Sequence, residues 1–298
     1  MASFRVASAW LFLSAAGLGC SAPVVDDVAD ASGAQTEGIV VVERVVSADG
    51  AQSNVSAKFL RMSAAADPEA ADRVLGSRLE MPRPGTCLAI PASGRVSAAS
   101  LASLGSIELL DVGDVTVRVD RTVMPLAARA FPDVGDRVSG VFYTSRDAAS
   151  DLPSAAHYQI EGSGSAQVDR FVVEGESPSA PDDVRVGDML LGDAISLRDG
   201  APASIHWRAM GHHADVMLVD MNGANGATVR CSFEDAGDGV IPAKLVSLDS
   251  LGANVTIAVH RVREQSFSAA GIDAGTLRFD LALVGRAALR SEVVRGTQ

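Results

Sequence analysis

The sequence predicts an all-β protein made of two antiparallel β-sandwich-like domains in series. Three observations predict it. Period-two alternation of apolar and polar residues recurs along the chain, turn signals separate the alternating runs, and helical periodicity is scarce. Val115, Val117 and Val119 share one face, with Thr116, Arg118 and Asp120 on the other. Val255, Ile257 and Val259 alternate with Thr256, Ala258 and His260, and Leu277, Phe279, Leu281 and Leu283 with Arg278, Asp280 and Ala282. Each run reads as a half-buried antiparallel strand.

The turns fall at Asp49-Gly50, Pro84-Gly85, Pro132-Asp133, Asp199-Gly200, Asn222-Gly223 and Asp238-Gly239, pairs that supply the φ values or side-chain bonds a turn needs. A short helix is expected over Ala64 to Leu75, capped by Asp67 with Pro68 at its first position. Ser97 to Leu104 and Pro242 to Leu248 are expected to form a turn or two each.

The chain opens with Arg5 and no acidic residue, followed by an apolar run from Val6 to Leu18. That is the length of a signal-peptide core and too short to span a bilayer comfortably. It ends in Ala15-Ala16-Gly17-Leu18-Gly19-Cys20. This ending resembles the lipobox of bacterial lipoproteins, in which a lipid is added to the cysteine thiol and signal peptidase II cuts just before it. Gly19 supplies the small residue at the cut. Gly17 departs from the pattern, because the leucine usual three places before the cysteine stands one place later, as Leu18. The resemblance implies residues 1–19 as signal peptide and Cys20 as the lipidation site. With Ser21 rather than Asp after it, it also implies the outer membrane, on its periplasmic or surface side.

Residues 20–37 then form an acidic tether, SAPVVDDVADASGAQTE after the cysteine, too poor in large apolar groups to fold. Ordered structure is expected from Gly38-Ile39-Val40-Val41-Val42. The first domain covers 38–175, and Glu176 to Asp183, with two prolines and no apolar anchor, reads as a linker. The second domain covers 184–294, with roughly seven strands. Its segment Gly200 to Trp207 resembles the early strand of fibronectin-III and immunoglobulin-like domains, where a lone Trp enters the core. That resemblance implies an immunoglobulin-like sandwich.

The chain has three cysteines. If Cys20 takes lipid, Cys87 and Cys231 remain as an even pair in an oxidising compartment, either bridged or as two buried thiols. Cys231 alternates in phase with Val229 and Phe233. Formal net charge is −12, from 25 basic and 37 acidic residues. Such a surface repels nucleic acid and anionic head groups, so no nucleic-acid partner is expected and membrane association falls to the lipid.

Catalytic signatures are few. Gly162-Ser163-Gly164-Ser165 lacks nucleophile-elbow spacing, and neither H-E-x-x-H nor a phosphate loop occurs. His212, His213 and Asp215 are the best metal candidates, for a metal-dependent hydrolase, against the simpler reading of a polar hairpin turn. His157, His206 and His260 read as surface residues. Asp220 to Asn225 and Glu234 to Gly239 could hold calcium but read more simply as turns. A sugar platform would need exposed aromatic rings, and after the signal peptide the chain offers Trp207, Tyr143 and Tyr158. The expectation is a non-enzymatic, lipid-anchored structural or protein-interaction module, adhesion-like, without cofactor or metal, partnered by the membrane and another envelope protein. A carbohydrate- or small-ligand-binding lipoprotein is the alternative.

Overall fold

The longest alternating runs form a hairpin, β17 (Asn254–Ala269) and β18 (Ile272–Arg290), paired from Asn254↔Ala288 to Ala269↔Ile272. This hairpin is the spine of the computed structural model, which describes residues 34–63, 66–67, 71, 75–76, 79–92, 105–132, 137–145 and 151–291. All of them belong to one compact unit, Gly33–Gln298. The expected signal peptide and Cys20 lie outside the described residues.

On one side of the spine, β14 (Asp215–Gly223) pairs with β17, β15 (Thr228–Glu234) with β14, and β3 (Thr86–Ile90) closes the edge. On the other side, β1 (Gln35–Ser47) runs parallel to β18 and turns at Ala48-Asp49 into β2 (Gly50–Met62). Gly50 takes the positive φ of +113° that this tight turn requires. The sheet continues through β4 (Ile107–Leu109), β7 (Val138–Ser145), β6 (Thr122–Ala130), β5 (Val115–Val119), β8 (His157–Gly162) and β9 (Phe171–Glu176). A separate sheet has the order β11 (Met189–Leu190), β10 (Arg185–Val186), β13 (Ala203–His206), β16 (Asp238–Ile241). Last, β12 (Ile195–Arg198) joins β18 in parallel.

The fold is all-β and sandwich-like, but its large sheet is mixed rather than purely antiparallel. The parallel pairs are β1–β18, β12–β18 and β4–β7. Alternation within a strand specifies which face is buried and says nothing about the direction of the neighbour. Order also begins earlier than expected. Gln35–Glu37, assigned to the tether, pair with Leu60–Met62, and the Thr36 hydroxyl donates to Asp273 at 2.7 Å. Two hairpin turns are displaced: the Asn222-Gly223 pair ends a strand and the turn follows at Ala224-Asn225, while Asp238-Gly239 begin β16.

Helix is confined to short pieces. The expected Pro242 to Leu248 turn appears as a 3-10 segment, Ala243–Leu245, and α1 (Leu248–Leu251), whose N-cap Ser247 accepts from the Asp249 amide. Ala71 and Leu75 of the expected Ala64 to Leu75 helix are helical and buried. The expected turn at 97–104 lies outside the described residues.

Two apolar cores sit on one and the same face of the spine. The first packs Val40, Val42, Phe59 and Phe279 against Ile160 and Phe171. The second packs Met217, Val219 and Val259 against Ile205, Trp207 and Ile241. Side chains buried this fully contribute about 1.5–3 kcal/mol each. The segment 176–183 divides most residues of the two cores in sequence, but the spine is common to both. Ile272, Leu277 and Phe279, from the end of the chain, belong to the first core.

Candidate functional site

Among the described residues we distinguish four polar constellations, and three of them are occupied by groups of the chain itself. The first is the histidine loop. Asp215 opens β14 with its side chain buried, and both of its oxygens bind Arg263, at 2.6 and 3.0 Å. His212 Nδ1 stands 3.6 Å from Asp215 Oδ1 and accepts from the Ala214 amide, with its ring about half exposed. His213 is exposed. The bidentate arginine takes the carboxylate that a metal would need, and among the described residues no group of three His, Cys, Asp or Glu side chains converges. The acidic turns are occupied too. Asp220 binds Arg230, Asn222 binds Thr228, and Asp235 accepts from Trp207 Nε1, the Met210 amide and Arg261.

The second constellation lies between the two cores. Past Val259, the inward face of β17 places Arg261 and Arg263 where apolar residues stood before. Arg261 is fully buried and donates to the carbonyls of Ser179, Ala180 and Arg208 and to Asp235. Arg263 donates to the Glu176 carbonyl besides Asp215. The segment 176–183 is therefore clamped rather than free, with Ser177, Pro178 and Pro181 buried. Sequence reading missed this, because an arginine at an inward position looks like the end of an apolar run.

The third covers the outward face of the spine. Lys58, Glu43, Asp280, His260, Asp220 and Arg230 form a charged band across six strands, with β18 as its middle. His260 is no surface residue: its ring bonds Asp280 at 2.7 Å with about 18% of the side chain exposed. Burial pulls its pKa down, but the Asp280 bond and the charges of Asp280 and Asp220 outweigh burial and the opposing Arg230, so the net shift is upward. Burial lowers the Lys58 ammonium pKa despite Glu43. Between β2 and β3, residues 75–76 and 79–85 cross this band. Lys58 Nζ donates to the Leu75 carbonyl, Arg230 to the Glu80 carbonyl at 3.2 Å, and the Gly85 amide to the Ser232 carbonyl. At its far end Cys87 and Cys231 face one another in register and are joined as a disulfide, S–S 2.05 Å. This crosslink closes 144 positions.

Tyr143 and Tyr158 are buried, each about 1% exposed, and so cannot stack a sugar. Burial raises both phenol pKa values, and the Tyr143 hydroxyl accepts from the Val112 amide and donates to Asp111.

The fourth constellation is open. β1 leaves β18 after Val46↔Leu283, and β12 arrives on that same edge at Ile195↔Ala287. Between them Val284, Gly285 and Arg286 have no strand partner on this side. A cleft of about 660 Å³ occupies the break, between the Ser47–Asp49 turn and Leu191–Asp193, with Thr256 and Arg286 on its spine wall. Gly285 is required here, since a Cβ would lie 2.0 Å from the Leu191 carbonyl oxygen. Apolar Val45, Leu283 and Val284 line it alongside Asp49, Asp193 and Arg286, the mixture of apolar wall and few polar groups that binding clefts show. No family model matches this chain, and no curated protein matches it.

Proposed function

We propose that the chain is a lipid-anchored cell-envelope protein, probing its surroundings with a non-enzymatic interaction module that engages another protein at the cleft beside Gly285. The observation that carries the binding half is the break in the sheet edge. The other polar constellations are occupied by side-chain and main-chain groups of the chain itself, whereas the cleft combines open main chain, apolar wall and charged rim. The anchoring half rests on Gly19-Cys20, with Ser21 favouring the outer membrane. The Cys87–Cys231 bond supports it by taking two of the three cysteines, which leaves Cys20 as the thiol available for lipid.

Two measurements test the two halves. Intact mass of the membrane-extracted protein is expected to show a chain beginning at Cys20 with diacylglycerol and two hydrogens fewer than the reduced form. A mature chain starting elsewhere without lipid overturns the anchor. A photo-reactive residue placed at Ala48, on the cleft wall, is expected to give a discrete protein adduct in intact cells. The same residue at Val123, exposed to 55% on β6, is expected to give none, and equal labelling at both overturns the cleft as the contact.

A further inference from the structure

We infer that the cleft binds the free amino end of a peptide chain, its first residue lying in the break beside Gly285; this rests on the interaction reading above. The main-chain groups of β18 alternate between its two neighbours. The Leu289 amide donates to the Ala253 carbonyl on the β17 side, and the Arg290 carbonyl accepts from Asp199 on the β12 side. Even-numbered residues of β18 therefore face β1 and β12, which turns Val284 and Arg286 to the break. In a parallel ladder the Val284 amide goes to the Val46 carbonyl and the Arg286 carbonyl to the Ile195 amide, by the registers Val46↔Leu283 and Ile195↔Ala287. The Val284 carbonyl and the Arg286 amide are left facing the cleft. One acceptor and one donor, a residue apart, match the N–H and C=O of a single amino-acid residue.

The ends of that residue are fixed by direction. β1 and β12 both run parallel to β18, so a residue completing the line between them points its amino side at the Ser47–Asp49 turn and its carbonyl side at Asp193 and Arg286. Ser47 still pairs with Gly50 and closes the line on the amino side, so a ligand residue ends there instead of continuing. Asp49 stands at that end, exposed, to receive an ammonium group. The opposite end carries both Arg286 and Asp193, whose charges offset one another, which suits a neutral peptide bond leading out of the cleft better than a second charged end. The cleft bears two carboxylates to one guanidinium, the balance a cation favours. Ammonium donating to the Val284 carbonyl and to Asp49, and carbonyl accepting from the Arg286 amide, use both main-chain groups that β18 turns to the break.

The test uses the detergent-solubilised, oxidised full chain and two probes measured by titration calorimetry: trialanine amide with a free amino end, and its N-acetylated form. Trialanine amide is expected to bind one to one, and acetylation or Asp49→Asn to weaken it about tenfold, the scale of one charge-assisted hydrogen bond. Asp249→Asn, on α1 and outside the cleft lining, is expected to leave binding unchanged. Equal affinity for the two peptides on the unaltered protein overturns the amino-end assignment without any variant. No binding of either peptide also overturns it. In both cases a discrete Ala48 adduct in cells leaves the interaction reading standing, and loss of that adduct removes the reading as well.

Discussion

The two faces of β17 both carry charge, and they use it differently. Inward, Arg261 and Arg263 hold the main-chain carbonyls of Glu176, Ser179, Ala180 and Arg208 and two buried carboxylates, themselves largely shielded from water. Outward, His260 belongs to a band of charges that strand neighbours share and that one crossing segment covers. The inward set joins two cores through arginine bonds to main-chain carbonyls and to buried carboxylates. The outward set includes His260, whose pKa is raised in spite of its burial.

The comparison breaks most sharply at Arg261. Its removal leaves Asp235 buried without its cation and three carbonyls without a donor. Arg261→Ala is expected to cost about 3–5 kcal/mol in denaturant unfolding. A loss below about 1 kcal/mol would show that the inward seam is a passenger of the two apolar cores. Arg261 Nε has no partner, so Arg261→Met, which keeps volume and removes that orphan donor, is expected to lose less than the alanine variant. On the outward side, the paired change Cys87→Ser with Cys231→Ser frees the end of the crossing segment. It is expected to cost about 2–4 kcal/mol, the usual range for a native bridge. It should raise hydrogen exchange at Gly85 and along β3 while leaving the Arg261 contacts protected; uniform loss of protection would deny that the two faces are separable.

How far these features could be read in advance follows from the residues themselves. The strand Val115–Val119 and the inward phase of Cys231 were legible because alternation alone fixes them. Trp207 in a core was legible through the likeness of Gly200 to Trp207 to the early strand of fibronectin-III-like domains, and the ring is indeed buried. The parallel pairing of β1 with β18 was not, since it joins residues more than two hundred positions apart and leaves no local trace. Nor was the continuation of β17 past His260: arginines at 261 and 263 reverse the apolar pattern exactly where the strand turns from one core to the other. The cleft was invisible for a related reason. It consists of a partner missing from an edge, and a sequence records only residues that are there.

A smaller effect concerns His260. Its folded pKa lies above the unfolded value of about 6.5. The charged ring is thus favoured by folding, and its contribution is fully present below pH ~6.5 and lost as pH rises through the raised folded value. Unfolding free energy measured across that interval is expected to decline, and His260→Gln to flatten the decline. A slope that survives in His260→Gln would move the titration to another group.

The smallest effect sets the scale for the others. Arg118 and Glu161 pair across β5 and β8 at 3.1 Å, with about 47% and 24% of their side chains exposed. Water screens both, and holding two long side chains together costs rotamer freedom, so Glu161→Gln is expected to change stability by less than about 1 kcal/mol. The same carboxylate-to-amide change at Asp215, whose side chain is 1% exposed and bidentate to Arg263, removes a charge that water cannot replace. Asp215→Asn is therefore expected to exceed Glu161→Gln severalfold in matched denaturant titrations. Equal losses at the two positions would mean that burial adds nothing to an ion pair here, and the inward seam would then be ordinary surface chemistry turned indoors.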